Sequence, residues 1–390
     1  MLADLVQHAR EVDHALRRFV CGNGCGFHNI ISRSDRHLSE RWSCRQWRDG
    51  GRTNGVCAIR INRSETRGFV ENELTNLHRR ADDWRALVIV KLNGGLGNQL
   101  FQYAAGYALA KRHRVALKFD CSAIFSLGER RMLMDKYRLP FDALEPVQLR
   151  RIGLHQRLGL RDKIPGLLLD AIHGQLATHS AGDDPSYDAS FHDLPKHIYL
   201  DGYWQDERYF KEYADEIKAS LALKPSGQAA VYAAIETLNI SMDEAWTCLH
   251  VRRGDLIKKP EVAAKHGNCP VSYYRYALER LAQQSQSRVR CLLFSDDIGW
   301  AIENLDSSYE IIPVSQLNLE EYVEHAIMQR CRHFILSNSS YSWWAAWLAE
   351  QADSIVICPS QWFRFTDCHL APERWQRLET TLEVAGQPTA

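Results

Sequence analysis

Four clusters of residues in the chain have types and spacing suited to chemistry. His250-Val251-Arg252-Arg253-Gly254-Asp255 follows directly on an apolar run. Of two adjacent arginines at a strand exit, one can turn into a cleft and clamp a phosphate bidentately, while the other pairs with Asp255 and holds the loop. The plain alternative is a surface ion-pair loop. Asn93-Gly94-Gly95-Leu96-Gly97-Asn98-Gln99 is a glycine-rich turn ahead of a helical pattern. Its backbone N–H groups and the helix N-terminus suit an anion. It is neither a Walker loop nor G-x-G-x-x-G, and geometry alone could explain its glycines. Phe294-Ser295-Asp296-Asp297 closes a second apolar run. Its carboxylates could accept from ribose hydroxyls, bind a metal, or cap the next helix. Ser337-Asn338-Ser339-Ser340-Tyr341-Ser342-Trp343-Trp344 joins an apolar run to an apolar helix. Small hydroxyl residues at a helix start suit phosphate. Trp343, Trp344 and Trp347 read as core rather than as sugar platforms, and no G-x-S-x-G elbow marks a nucleophilic serine.

Residues such as these need rigid elements to aim them. The pattern over 87–120 is a buried strand (87–92), the glycine-rich turn, a helix (100–113) that Asn98 could cap, and a second strand (115–120). That order marks an α/β sheet with parallel strands. Residues 121–200 contain five prolines and read as helices and long loops, a substrate-facing region, before a strand at 196–205. A helix near 207–221, a break at Lys224-Pro225-Ser226-Gly227 and a helix near 228–238 follow. The second half repeats the rhythm, with strands at TCLHV, RCLLF, YEIIP, HFILS and SIVICP and helices near 272–284, 297–304, 319–330 and 342–350. In open α/β sheets ligands bind at the carboxyl ends of strands, and all four clusters fall at such ends.

Composition narrows the function classes. The 390 residues carry 48 basic and 48 acidic side chains, so a broad basic face for nucleic acid is not expected. The balance hides a shift: residues 1–86 contain fifteen arginines, eleven acids and no lysine, and the first lysine is Lys91. That stretch is expected to be a separate, poorly structured extension, dispensable or the product of a missed start codon near Leu87. Its Cys21, Cys25, His28 and His37 lack the paired spacing of a zinc site. Eleven cysteines without a disulfide cadence read as reduced thiols of a cytoplasmic protein. No apolar run reaches the length of a membrane span.

VKLNGGLGNQLFQYAAGYALA, GYWQDERYF, HVRRGD, FSDDIGWAIENL and SNSSYSWWAAWL resemble, in order and spacing, glycosyltransferase family 11, the α-1,2-fucosyltransferases, over roughly residues 87–365. The resemblance implies a GT-B-type enzyme: two Rossmann-like α/β domains facing a cleft, here an acceptor-side domain at 87–238 and a GDP-fucose-binding domain at 239–390, behind the 1–86 extension. It implies inverting transfer of L-fucose from GDP-L-fucose to O2 of a terminal galactose, without a metal cofactor. By the same match Arg252 or Arg253 binds the β-phosphate, with Asp255 beside them. His250 lies near the guanine nucleotide, and Asp296 or Asp297 meets ribose or base. Asn338, Ser339 and Ser340 meet phosphate, and Gly97, Asn98 and Gln99 face the diphosphate or fucose. Glu324, in Glu324-His325-Ala326-Ile327-Met328, takes the place of an acid that would contact guanine. Asp255, Glu261 and His266 are nearby, but none has the spacing of a general base. The expected partners are GDP-L-fucose and a galactose-terminated glycan, lipid-linked if the enzyme sits peripherally at an inner membrane. Nucleic acid is not among them. The rival readings are transfer of another GDP-sugar or to another acceptor, and a non-catalytic glycan binder on the same scaffold.

Overall fold

A computed structural model of the chain describes residues 86–127, 131–145, 176–181, 184–254, 257, 260–285, 288–305, 308–366 and 370–380, without the side chains of 126–127 and 260–262. The extension 1–85, with its Cys and His group, lies outside the described residues, as does Asp255.

Two parallel sheets organise these residues. The first has strands β1 (Leu87–Lys91), β2 (Ala116–Asp120), β3 (Ala177–Ser180) and β4 (Ile198–Asp201) in the order β2-β1-β4-β3. All its pairings are parallel, with Val90 opposite both Phe119 and Leu200. The second has β5 (Trp246–Val251), β6 (Arg290–Ser295), β7 (Glu310–Pro313), β8 (His333–Ile335), β9 (Val356–Pro359) and β10 (Gln376–Leu378), in the order β10-β9-β8-β5-β6-β7, again parallel throughout. A parallel sheet is covered on both faces, which is why LVIVK and WTCLHV are near-continuous apolar runs rather than alternating ones.

The helices are α1 (Leu96–His113), α2 (Ser122–Leu127), α3 (Ala214–Ser220), α4 (Pro225–Leu238), α5 (Pro260–His266), α6 (Val271–Gln284), α7 (Ile298–Asn304), α8 (Glu321–Met328) and α9 (Ser340–Ala349). Three expectations need correction. Helix α1 starts four residues early: Gly95 is its N-cap and Asn98 sits inside the first turn, so Asn98 caps nothing. The region 121–200 holds a strand, β3, whose sequence ATHS carries no apolar run because it lies at the sheet edge. The stretch near 207–221 is two short 3₁₀ turns, Glu207–Tyr209 and Lys211–Tyr213, leading into α3.

One buried cluster runs through both halves. Phe101 on α1 and Phe210 after β4 meet Trp343, Trp344 and Trp347 on α9, with Phe101 and Trp343 centroids 4.6 Å apart and Phe210 stacked on Trp344 at 5.3 Å. The three tryptophans are at most 2% exposed, so they are core, as their helical spacing suggests. Glu207 adds a polar tie. It accepts from the Trp347 indole at 3.0 Å and from Arg374 at 2.8 Å.

Candidate active site

The carboxyl ends of β1, β3, β4, β5, β6 and β8 open on a single cleft of about 1050 Å³. Its walls include Gly97 and Asn98 after β1, His179 at β3, Asp201 to Gln205 after β4, His250 and Arg252 at β5, Asp296 after β6, and Asn338 to Tyr341 after β8. Glu321 and Glu324 of α8 complete it. The volume is at the upper end of small-molecule sites and suits a nucleotide sugar with its acceptor.

The paired arginines divide their work. Arg252 lines the cleft. Arg253 lies over the Trp300 ring, its guanidinium carbon 3.9 Å from the centroid, and its Nε is 3.4 Å from the Asp297 carboxylate. Alternate residues of an extended chain point to opposite sides, so His250 and Arg252 share the cleft while Val251 and Arg253 turn away. The loop arginine therefore has Asp297 as partner. Asp296 also acts on this loop: it lines the cleft, and its carboxylate accepts the Arg253 backbone N–H at 2.7 Å. Asp297 is the N-cap residue of α7 but makes no side-chain cap bond, because its carboxylate is turned to Arg253.

His250 is 6% exposed, and its Nδ1 is 2.8 Å from the Ser337 hydroxyl. Burial, with help from Arg252 and His325, pushes its pKa down to about 3. His325 is fully buried. Its Nε2 donates to the Tyr341 carbonyl at 3.1 Å, the Gln329 amide donates to its Nδ1 at 3.0 Å, and burial lowers its pKa to about 4. Both rings are neutral at pH 7, and both pack on the Tyr341 ring. Below about pH 6.5 the unfolded chain takes up protons that the folded one refuses, so stability falls with pH through the window from 6.5 to about 4. Two such groups remove roughly 3–4 kcal/mol between pH 7 and pH 5. Urea midpoints at the two pH values check this, and His325→Gln is expected to flatten the difference by about half. Equal midpoints for the native chain would contradict the burial argument.

The glycine-rich turn and the serine cluster meet each other directly. The Ser340 hydroxyl donates to Asn98 Oδ1 at 2.9 Å, and the Gln205 amide donates to the same oxygen at 2.8 Å. Gly97 is what allows this approach. A Cβ there would stand 2.6 Å from the Ser340 carbonyl oxygen and 2.6 Å from the Tyr341 nitrogen. Several amides of the turn are already engaged. Asn93 N–H donates to Gln102, Gly94 N–H to the Asn93 side chain at 2.8 Å, and Leu96 N–H to the Glu321 carboxylate at 3.3 Å. The open phosphate cradle expected of this turn is therefore reduced. Gln99 turns inward, fully buried, donating to the carbonyls of Gly94 and Arg131 at 3.0 Å, and is not a cleft residue.

Asn338 lines the cleft, but its side chain is a tie. Its Nδ2 donates to the His266 carbonyl at 2.7 Å, and its Oδ1 accepts from the Cys269 thiol. Ser339 caps α9, accepting from Tyr341 N–H at 3.3 Å. Glu324 faces the cleft half-buried. Burial raises its pKa and the Ser315 hydroxyl opposes that. His266 reaches the cleft against the Phe363 ring, while the Glu261 side chain is outside the described residues. Sequence reasoning missed His179, Asp201, Tyr203, Gln205 and Glu321. Only GYWQ carried a signal, as a quoted motif without an assigned role. Among the described residues no group of three or more His, Cys, Asp or Glu is arranged to hold a metal ion.

Two parallel α/β sheets whose strand ends converge on one cleft, with an arginine and a helix start directed into it, form an architecture of GT-B type. Residues 63–368 match the family model described as Glycosyl transferase family 11. The chain belongs to glycosyltransferase family 11, and the match begins inside the arginine-rich stretch rather than at β1. It is 28% identical to an Alpha-1,2-colitosyltransferase of Escherichia coli, over 75% of this chain and 99% of that one. It is 27% identical to the O-antigen biosynthesis glycosyltransferase WbnK of Escherichia coli, over 70% and 93%. It is 22% identical to a Galactoside 2-alpha-L-fucosyltransferase of Bos taurus, over 67% and 64%. A solved NodZ alpha-1,6-fucosyltransferase soaked with GDP-fucose superposes with a TM-score of 0.41 at 16% identity, covering 68% of this chain and 93% of that one. A superposition this loose assigns no residue.

Proposed function

We propose that the protein transfers L-fucose from GDP-L-fucose to O2 of a terminal galactose with inversion at the anomeric carbon. The observation that carries this reading is Arg252, placed in the cleft at the exit of β5 beside a neutral His250. As the fucosyl C1–O bond lengthens, negative charge grows on the β-phosphate. A guanidinium already aimed there stabilises the transition state more than the ground state. Membership of family 11 and the galactoside 2-alpha-L-fucosyltransferase relative support the donor, linkage and acceptor. Incubation with GDP-fucose and lactose, read by mass and linkage analysis, tests it: a fucosyl-α-1,2-galactoside is expected. Absence of transfer to any β-galactoside by folded protein would overturn it.

A second reading keeps the α-1,2 linkage and changes the sugar, because the Escherichia coli relative is a colitosyltransferase. A donor competition between GDP-fucose and nucleotide-activated colitose decides between them. The O-antigen relative supports a surface-polysaccharide acceptor. In the proposed reading that acceptor is lipid-linked and the enzyme is cytoplasmic, peripheral to the membrane. No helix among the described residues is long and apolar enough to cross a membrane.

The reaction in this reading needs no metal. Asp296 and Asp297, the residues best suited to bind one, are engaged by the Arg253 backbone and side chain. Activity is expected to be unchanged in EDTA. Inhibition reversed by Mn²⁺ would assign these carboxylates to a cation.

A further inference from the structure

The turn after β4 is built under strain. Trp204 is a non-glycine residue in the left-handed region, at φ 46°, and is 4% exposed. Its indole N–H has no hydrogen-bond partner among the described residues. Gly202, two residues before, cannot carry a side chain, since a Cβ would lie 2.5 Å from the Ala181 Cβ and 3.1 Å from the Trp204 ring. Three bonds hold the turn in this shape. The Gln102 amide donates to the Gly202 carbonyl at 3.0 Å, Asn93 Nδ2 donates to the Tyr203 hydroxyl at 3.4 Å, and Asp206 N–H donates to the Trp204 carbonyl at 2.9 Å. A strained, unsatisfied turn fixed by its neighbours persists where it positions something.

What it positions is Tyr203. The inward rotation of Trp204 against His179 and Phe191 turns the preceding residue outward, and Tyr203 stands 41% exposed in the cleft wall. That wall belongs to the first sheet, across from Arg252. Two residues earlier in the same wall is Asp201, whose carboxylate is paired with Lys91 at 2.8 Å. An aromatic ring and a carboxylate in one cleft wall are the chemistry that recognises a pyranose: apolar C–H groups on the ring face, hydroxyls on the carboxylate. Galactose suits it well, because its axial O4 leaves an unbroken C–H patch on the opposite face.

We propose that the Tyr203 ring is the stacking platform for the acceptor sugar, with the Asp201 carboxylate receiving that sugar's hydroxyls. The inference rests on the galactoside-acceptor reading above. Tyr203→Phe keeps the ring, and Tyr203→Ala removes it. Each is assayed with lactose and GDP-fucose, and lactose binding to the GDP-loaded protein is followed separately by ligand-observed NMR.

Tyr203→Ala is expected to raise the lactose KM about tenfold or more and to weaken the NMR-detected binding in proportion, with the GDP-fucose KM within about twofold of wild type. Tyr203→Phe keeps the ring and loses only the long 3.4 Å bond from Asn93, so its lactose KM is expected to rise clearly less than that of Tyr203→Ala. An unchanged lactose KM in Tyr203→Ala overturns the proposal. So does a parallel rise in the GDP-fucose KM, or a Phe variant as impaired as the Ala one. The two readings fail differently. If the wild type binds lactose but transfers no fucose, the donor assignment falls and the platform is judged on binding alone. If the wild type transfers fucose and Tyr203→Ala does so equally well, the platform falls and the function stands. If the wild type neither binds lactose nor transfers to it, both fall.

Discussion

Arg252→Ala lowers kcat for fucosyl transfer by about 10²–10³-fold and leaves the melting temperature near that of the native chain. The rate loss follows from where the guanidinium sits. It lines the cleft at the end of β5, where the proposed reaction would put the leaving diphosphate. Removing one preorganised donor to a developing oxyanion costs about 3–4 kcal/mol in comparable sites. The fold survives because the neighbouring loop has its own anchors, the Asp296 carboxylate on Arg253 N–H and the Arg253 side chain between Trp300 and Asp297. Arg252→Lys keeps the charge and loses the planar fork, so its kcat falls between the two. Arg253→Ala gives the opposite pattern, a lowered melting temperature with a smaller rate loss, since that side chain packs rather than faces the cleft. Steady-state kinetics with thermal melts on the three variants check this. Near-normal turnover in Arg252→Ala would sink the phosphate-clamp argument, and an inactive Arg253→Ala beside an active Arg252→Ala would reverse the assignment.

Gly97→Ala destabilises the protein by about 2–3 kcal/mol and lowers its melting temperature by about 5 °C or more. The position lies within α1, so alanine has no conformational difficulty there, and the whole effect is steric. The added methyl meets the backbone of Ser340 and Tyr341, which cannot swing aside as a flexible side chain would. The start of α9 has to move away from α1, stretching the Ser340–Asn98 hydrogen bond and opening the Phe101–Trp343 contact beneath it. Activity therefore falls with stability. Gly299→Ala in α7 is the control: nothing lies within 4 Å of its new methyl, and alanine in a helix is neutral to stabilising by about 0.5–1 kcal/mol. Melting both variants separates a close approach from a generic glycine effect, and equal behaviour would remove the steric explanation.

Much of the architecture was legible because parallel strands announce themselves. LVIVK, WTCLHV and RCLLFS are short, apolar and rich in β-branched residues or leucine, as strands covered on both faces must be. The strands that escaped, β3 and β10, are three or four residues long and lie at sheet edges, where pairing on one side leaves polar side chains tolerable. The tryptophans of α9 were readable as core because their spacing follows the helical period, and burial under Phe101 and Phe210 agrees.

The division of roles within the motifs was less legible. HVRRGD holds two arginines with equal claims, and only the strand direction at β5 sends Arg252 to the cleft and Arg253 to Trp300. Asn98 and Ser340 each looked like half of a phosphate site. They are 242 positions apart in the chain, yet they bond to each other because the first turns of α1 and α9 abut at Gly97. Asn338 looked like a ligand-facing amide and is a tie to the His266 carbonyl.

Local order along the chain determines which strand, turn or helix a segment forms, because periodicity and backbone preference act over a few residues. It was enough for two parallel sheets, the clusters at their carboxyl ends and membership of a transferase family. Which side chain of each cluster reaches the cleft, and which is consumed in holding two distant loops together, depends on contacts that exist only once both sheets are packed. Hydrogen bonds and close approaches are short-ranged, so a side chain's partner is chosen by three-dimensional proximity, and no spacing in the chain encodes it.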